Sequence, residues 1–506
     1  YKEKEISKAE HIDVLSADEK LEIVHEIRRI NSENIKVQCS NLINQNEEKL
    51  KNQGSIIEKY TYIPCVRMSV TPKQIEKLSE YQFVTNIDYF KSIESTQLLN
   101  NSREVINADT VQTNGIFGET GEGVRVGIID KELPATYVDA LDDANIVLHT
   151  RGSSNYPIGS HVTYVAEVIA SQGSNVCAKG IAPDVTLYCT YVPNNSDLHI
   201  NSLNWLVDNL VDIVNISFDW TEIDKNGNPI INSYYGLSQI IDFYSAHYMI
   251  TFVISAGNSG TQGIGAPAMS YNAITVGNID DKNTETATDD AVHPSSTHTN
   301  QSTLINLPSK PDICAPGTNI MLNSVSNTGT SIAAPHVAGA AALIGEMDPL
   351  LLVSPAAIKA TLVAGVKANF RFVPSQRTVT TDTSNPPESY IQCGAGIVDC
   401  KRSGLIVKNS RVDFTVMPLN QSEMSFDIEC TTNENKRVAL AFEKTAIETT
   451  EGYRDLHYYD NLDLYIYDPN GNLVGSSITT NNNVEIVDFT VTTTGTYTAK
   501  IKRGTA

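Results

Sequence analysis

The stretch GTSIAAPHVAGAA, Gly329 to Ala341, decides how the rest of the chain is read. A Gly-Thr pair leads into Ser331, and after Ile332 comes a run of small residues, Ala333, Ala334, Ala338, Ala340, Ala341 and Ala342. Small side chains at that density suit a buried, closely packed helix, and Ser is a favoured N-cap. Pro335 fits the first turn, where a missing N–H costs little, so a helix is expected to start near Ser331. Taken alone, Ser331 reads as a cap. At the positive end of a helix dipole, however, its hydroxyl and backbone N–H also suit attack on a carbonyl and stabilisation of the resulting oxyanion. The choice turns on whether the chain supplies a base.

Three other stretches offer partners. VRVGIID ends a buried strand on Asp130, GSHVTYVAEVIAS places His161 at a helix start, and FVISAGNSG places Asn258 just after a strand. Each has a plain structural alternative: Asp130 as a cap, His161 as a satisfied polar residue, Asn258 in a Gly-flanked turn. Their joint occurrence in the order Asp, His, Asn, Ser argues for chemistry.

The surrounding pattern sets the scaffold. VRVGIID, VTLYCTYV, VDIVNISF, MITFVISAG and AITVGNI are short apolar strands separated by helical stretches, within a domain spanning 96–404. Strands of that kind imply an α/β fold, a mostly parallel sheet covered by helices on both faces. Ligand sites in such folds lie beyond the carboxyl ends of the strands.

Residues 1–95 form a small α+β unit by pattern. SADEKLEIVHEIRRI opens with a capping box, Ser16 to Glu19, and repeats apolar residues at Leu21, Val24, Ile27 and Ile30. VQCSNLINQNEEKLKNQ predicts a second helix, IIEKYTYIPCVRMSV a strand, TPKQIEKLSEY a helix with Pro72 in its first turn, and FVTNI a short strand. Residues 405–506 have little helical signal. NLDLYIYDPNGNLVG alternates Leu462, Leu464 and Ile466 with other residues and then turns; with VEIVDFTV and GTYTAKIK it reads as a β-sandwich.

Composition excludes several classes. The chain has 506 residues, 37 basic against 59 acidic, a net charge of −22, which disfavours nucleic acid and anionic membranes as partners. No apolar run reaches the roughly 20 residues of a membrane helix. The sequence starts at Tyr1 with no signal-peptide pattern, so a targeting segment is expected to have been removed already. Eight cysteines show no zinc-ligand spacing; Cys393 and Cys400 either pair across a turn or remain buried thiols.

In the central region GEGVRVGIID, HVTYVAEVIA, GIAPDVTLY, DIVNIS, SAGNSG, AITVGNID, DICAPG and GTSIAAPHVAGAAAL follow one another over about 300 residues. In this order the chain resembles the subtilisin-like serine proteases, and Asp, His, Ser is the subtilisin order of the triad. The resemblance implies a serine endopeptidase in which Ser331 attacks, His161 moves the proton, Asp130 orients the ring and Asn258 helps hold the oxyanion. It assigns substrate contact to Ser217, Phe218, Asp219, Ala256 and Gly257. No cofactor is expected for catalysis, and the partners are a protein or peptide substrate and the chain's own propeptide.

The chain also departs from the family. Lys131 and Glu132 follow Asp130 where Ser or Thr and Gly are usual, and Val162, Thr163 and Tyr164 follow His161 where Gly, Thr and His are usual. Bulk at these points is the argument for an alternative, a catalytically weak pseudoprotease acting as a binding or regulatory protein. Where the family has Ser-Leu-Gly-Gly, this chain has Ser217, Phe218, Asp219 and Trp220, and either Asp219 or Trp220 narrows the specificity pocket or recharges it in favour of a basic residue. Both pointing to solvent is the other reading. The resemblance further implies a structural calcium site from Asp139 and the loop QGSNVCAKG, with Gln172, Ser174, Val176 and Ala178 as ligands, Ser174 and Cys177 replacing the usual Asn and Gly. Residues 1–95 take the place of a propeptide cut between Tyr89 and Leu99, and residues 405–506 that of an accessory domain of secreted subtilases, so the protein is expected to be an extracellular zymogen.

Overall fold

The computed structural model describes residues 37, 40–59, 66–81, 98–113, 117–153, 156–174, 177–192, 198–218, 231–234, 237–282, 284, 289–299, 307–367, 392–417, 420–444, 447–449, 452–454 and 461–504. The expected helix at 16–30, the strand FVTNI, Asp219, Trp220, Val176, Cys39, Cys65 and most of the 89–99 junction lie outside them. The described chain falls into two compact units, Tyr1–Ile93 and Glu94–Ala506.

In the first unit, residues 40–51 are helical, followed by the antiparallel strands β1 (Ser55–Lys59) and β2 (Val66–Ser69) and a helix at Pro72–Ser79. The stretch IIEKYTYIPCVRMSV therefore gives two paired strands where sequence pattern predicts one. Pro64 stands between them, and its missing N–H and fixed φ disfavour an unbroken ladder there. Pro72 opens its helix as expected, with Thr71 and Gln74 forming a capping box.

The second unit is built on a sheet whose spatial order is β10-β8-β7-β6-β3-β5-β4. Its strands are β3 (Arg125–Asp130), β4 (Ile146–Leu148), β5 (Thr186–Tyr191), β6 (Ile213–Ile216), β7 (Thr251–Ser255), β8 (Ile274–Asp280) and β10 (Ile313–Pro316). Those pairings are all parallel; only the short β9 (Ala291–Val292) runs antiparallel, on β8. The residues of β6 and β7 are all buried, which is why these strands read as apolar runs without alternation. From β3 the chain crosses to the edge strand β4 and returns to β5 on one side, then continues through β6, β7, β8 and β10 on the other. The crevice at this reversal, by the carboxyl ends of β3 and β6, is where an α/β sheet binds its ligand.

Helices cover both faces. The helix Thr330–Met347 is buried along nearly its whole length, since its Ala and Gly residues let it run close under the sheet, and it packs on the helix Ser160–Ala170. A Cβ on Gly339 would collide with the Ile181 side chain, so the segment that follows the Ser160–Ala170 helix packs against a glycine there. The helix begins at Thr330, which places Pro335 in its second turn, not the first as expected. Proline there has no N–H for the Ser331 carbonyl four residues back, so the turn carrying Ser331 is tied less tightly than the rest.

Beyond the short hairpin β11 (Ile320–Leu322) and β12 (Val325–Asn327), the C-terminal region contains β13 (Glu423–Cys430), β14 (Asn435–Ala441), β15 (Ile447–Thr449), β16 (Gly452–Arg454), β17 (Leu462–Tyr467), β18 (Leu473–Ser477), β19 (Val484–Thr490) and β20 (Gly495–Arg503). A four-stranded sheet, β13-β20-β17-β18, and the pair β14-β19 share one core of Cys430, Leu464, Ile466, Val487, Phe489, Val491, Tyr497 and Ala499. Polar ties join these sheets to the α/β core. Arg437 pairs with Asp488 and donates to the Ala395 carbonyl at 3.0 Å; Asn272 accepts from the Lys444 amide at 2.8 Å and donates to its carbonyl at 2.9 Å. Buried Lys359 reaches Asp312 at 3.0 Å and Asn483 at 3.4 Å. Six described cysteines, Cys393 and Cys400 among them, are buried and none forms a disulfide.

Candidate active site

Asp130 is the last residue of β3, 4% exposed. Its Oδ1 accepts from the Lys131 amide at 2.7 Å, and its Oδ2 lies 3.0 Å from His161 Nδ1. A carboxylate facing Nδ1 holds the ring proton there, which leaves Nε2 as the basic end of the imidazole.

Backbone pairing sets this distance. The Leu133 amide donates to the Pro157 carbonyl and the Gly159 amide to the Leu133 carbonyl, so the segment leaving Asp130 is zipped to the segment entering the His161 helix. Thr163 adds a second tie, accepting from the Ala135 amide at 2.9 Å while donating to the Gly159 carbonyl at 2.6 Å. The bulk at Glu132 is accommodated by a missing side chain. A Cβ on Gly159 would collide with the Glu132 carboxylate, so Glu132 occupies the space that Gly159 vacates. Its charge thereby sits at the N-terminal end of the His161 helix, where the dipole favours an anion.

On the opposite wall Asn258 is fixed by Thr330, which sequence reasoning does not single out. Asn258 Oδ1 accepts from the Thr330 amide at 2.9 Å and from its hydroxyl at 3.3 Å, and that hydroxyl accepts from the Gly257 amide at 3.1 Å. With Oδ1 engaged, the Nδ2 donors are free to face a ligand. Gly257, at φ +99°, makes the turn that a side chain would strain. Ser331, second residue of its helix, has an amide among the first-turn donors without an intrahelical acceptor.

Gly329 precedes this turn with φ 161° and ψ 162°, extended backbone open to any residue. Its lack of a side chain matters for space. A Cβ there would lie 3.2 Å from Ser331 Oγ and 3.4 Å from both Asn258 Oδ1 and Nδ2, in the gap between hydroxyl and amide.

These groups share a cleft of about 820 Å³ lined by Asp130, Lys131, Glu132, Pro157, His161, Ser217, Phe218, Ser255, Gly257, Asn258, Ser259 and Ser331. The four residues expected to carry chemistry are thus brought together. Ser217, Phe218 and Gly257 line the cleft; Ala256 is buried, its amide bonded to the Val276 carbonyl, and is not among the lining residues. A second histidine near Ser331 plays another part. His336 is buried, bonds the Ile332 carbonyl at 2.8 Å and Ser102 at 2.9 Å, and burial pushes its pKa down to about 4. It is a neutral packing residue at ordinary pH.

Of the expected calcium ligands, Asp139, Gln172, Ser174 and Ala178 lie among the described residues and Val176 does not. The Gln172 amide donates to the carbonyl of Ala140, next to Asp139, so the two segments meet. Asp139 is exposed, and the Ser174 hydroxyl accepts from the Cys177 amide at 3.1 Å. Among the described residues no group of three His, Cys, Asp or Glu side chains converges. The loop ligands expected there are chiefly backbone carbonyls, oxygens of the kind calcium takes six to eight of.

An acid buried at a strand end, a half-exposed histidine bonded to it, and a serine at a helix start beside an oriented amide define a site for nucleophilic attack assisted by a histidine base. The Subtilase family profile matches residues 121–392, and this chain belongs to that family. It is 31% identical over 264 residues to Subtilisin DY of Bacillus licheniformis, covering 49% of this chain and 85% of that protein. To a thermostable alkaline protease of Halalkalibacterium halodurans it is 26% identical over 304 residues, 58% of this chain and 76% of the relative. Among solved structures, the self-cleaved protease domain of PatA aligns with 20% identity and a TM-score of 0.42, over 57% of this chain and 98% of that one.

Proposed function

We propose that the protein is a serine endopeptidase acting through an acyl-enzyme. The observation that carries the reading is the 3.0 Å contact of His161 Nδ1 with Asp130 Oδ2 in the cleft that also holds Ser331 and Asn258. His161 Nε2 takes the Ser331 proton as Oγ adds to the scissile carbonyl, and Asp130 offsets the charge that forms on the ring. The oxyanion accepts from Asn258 Nδ2 and the Ser331 amide. Collapse passes the proton from His161 to the leaving amine, and water, deprotonated by the same ring, releases the acyl group.

The separate compact unit Tyr1–Ile93 supports a propeptide that the protease cuts away, so that the protein is made as a zymogen; work outside the cell is supported by the likeness to Bacillus subtilisins. Among the described residues no helix is long and apolar enough to cross a membrane. Calcium is proposed only as a structural ion at Asp139 and the Gln172 loop. If it binds there, EGTA lowers the melting temperature and Asp139→Asn abolishes that response; a melting temperature indifferent to calcium removes the proposal.

The test of function is the intact mass of freshly made protein beside Ser331→Ala, with fluorophosphonate labelling of both. The expected outcome is labelling at Ser331 and a cut near residues 89–99 in the native chain alone. Absence of labelling and of any peptide hydrolysis, even after the junction is opened with another protease, would overturn the reading in favour of a binding protein.

A further inference from the structure

Four ionisable groups line the cleft among the described residues: Asp130, His161, Glu132 and Lys131. Asp130 and His161 hold each other, and Glu132 is seated over Gly159 at the helix end. Lys131 is left. It is exposed and makes no ion pair among the described residues, and its Nζ stands 6.0 Å from the centre of the Phe218 ring. Phe218, two residues past the end of β6, lines the same cleft as His161 and Ser331. An aromatic face steers an ammonium through its quadrupole without neutralising it, so the cation keeps its charge for a ligand.

We propose that Lys131 reads an acidic side chain of the peptide substrate close to the scissile bond, making this enzyme selective for cleavage sites flanked by Asp or Glu. The inference rests on the peptidase reading and adds substrate class to it. Lys131 lines the same cleft as His161 and Ser331, so an acidic side chain that it meets there belongs to a peptide bound across the proposed nucleophile. The chain as a whole carries a charge of −22, so its long-range field repels acidic peptides and selection for them must come from a local cation. The preference should therefore grow with salt, which screens the distant charges more than a contact pair.

The experiment uses the full processed chain and quenched fluorescent peptides identical except for Glu, Gln or Lys at each position flanking the cleaved bond. Active sites are counted by fluorophosphonate titration, and wild type is compared with Lys131→Met and Lys131→Glu. Wild type is expected to favour Glu over Gln by about three- to tenfold in kcat/KM at one position, mostly through KM. Lys131→Met brings that ratio to one, and Lys131→Glu inverts it towards Lys. Because each ratio is taken within one variant, loss of folded protein does not mimic the effect. Labelling of Ser331 with hydrolysis indifferent to charge, or a Glu preference that survives in Lys131→Glu, overturns this inference alone. Failure of both labelling and hydrolysis overturns the peptidase reading and this one with it.

Discussion

Gly329→Ala separates catalysis from folding at a single methyl group. The native backbone there, φ 161° and ψ 162°, is extended and accepts alanine. Replacing glycine at such a position stabilises by about 0.4–1 kcal/mol, because the unfolded chain loses freedom. The same methyl would stand 3.2 Å from Ser331 Oγ and 3.4 Å from Asn258 Nδ2. A substrate carbonyl needs that gap, with its carbon about 3 Å from the nucleophile and its oxygen about 2.7–3.1 Å from the donors. Losing one oxyanion donor lowers turnover by about 10²–10³, a magnitude measured on subtilisin itself. Blocking both donor and nucleophile is expected to cost at least about 10²-fold, close to 3 kcal/mol in the transition state. The assay pairs kcat/KM on a peptide with urea unfolding of the same sample. Stability equal to or above wild type with turnover down a hundredfold is the expected pattern. Activity within threefold of wild type would refute the placement of the carbonyl in front of Gly329.

Glu485, 0% exposed, has its pKa pushed up to about 8 by burial, against the Ser477 and Thr479 donors that favour the carboxylate. The folded state then holds a proton that the unfolded chain loses above about pH 4.5, so this group's stability contribution is full in acid and falls by roughly 1.4 kcal/mol per pH unit up to pH 8. Glu485→Gln should flatten that part of the slope in urea titrations between pH 5 and 8; an unchanged slope would mean Glu485 is ionised in the fold. Gly159→Ala should destabilise and slow the enzyme by displacing Glu132, and Glu132→Ala should suppress most of that loss, a coupling of about 1 kcal/mol; strictly additive effects would show that the two residues do not share that space.

The site is legible in sequence because each of its groups sits at a junction that short sequence marks: Asp130 where an apolar strand stops, His161 and Ser331 where helices begin, Asn258 between a strand and a glycine turn. Five of the parallel strands are legible for the same reason, their apolar runs being long enough to stand out. β4 is not, because it is three residues on the sheet's edge and none of them is fully buried. The roles of Thr330 and Gly329 are hidden since they depend on Asn258, which is more than seventy positions away in sequence and hydrogen-bonded to Thr330. The accommodation of Glu132 by Gly159 is likewise a contact through space, and local pattern registers the bulk only as a departure. Pro335 falls in the second turn because it is the sixth residue of a helix that starts at Thr330; a start at Ser331 would make it the fifth, also past the first turn.

The ties between the C-terminal sheets and the α/β core bear on how such a gene could be recombined. Removing everything after Gly404 would uncover Lys359, whose ammonium burial already pushes down to about 8, and would strip partners from the carbonyl of Ala395 and from both polar atoms of the Asn272 amide. A protease domain transplanted without those sheets would carry an unfinished wall. The C-terminal region can drift in its outer strands, but the residues that meet Asn272, Lys359 and Ala395 have to travel with the core in any exchange between relatives.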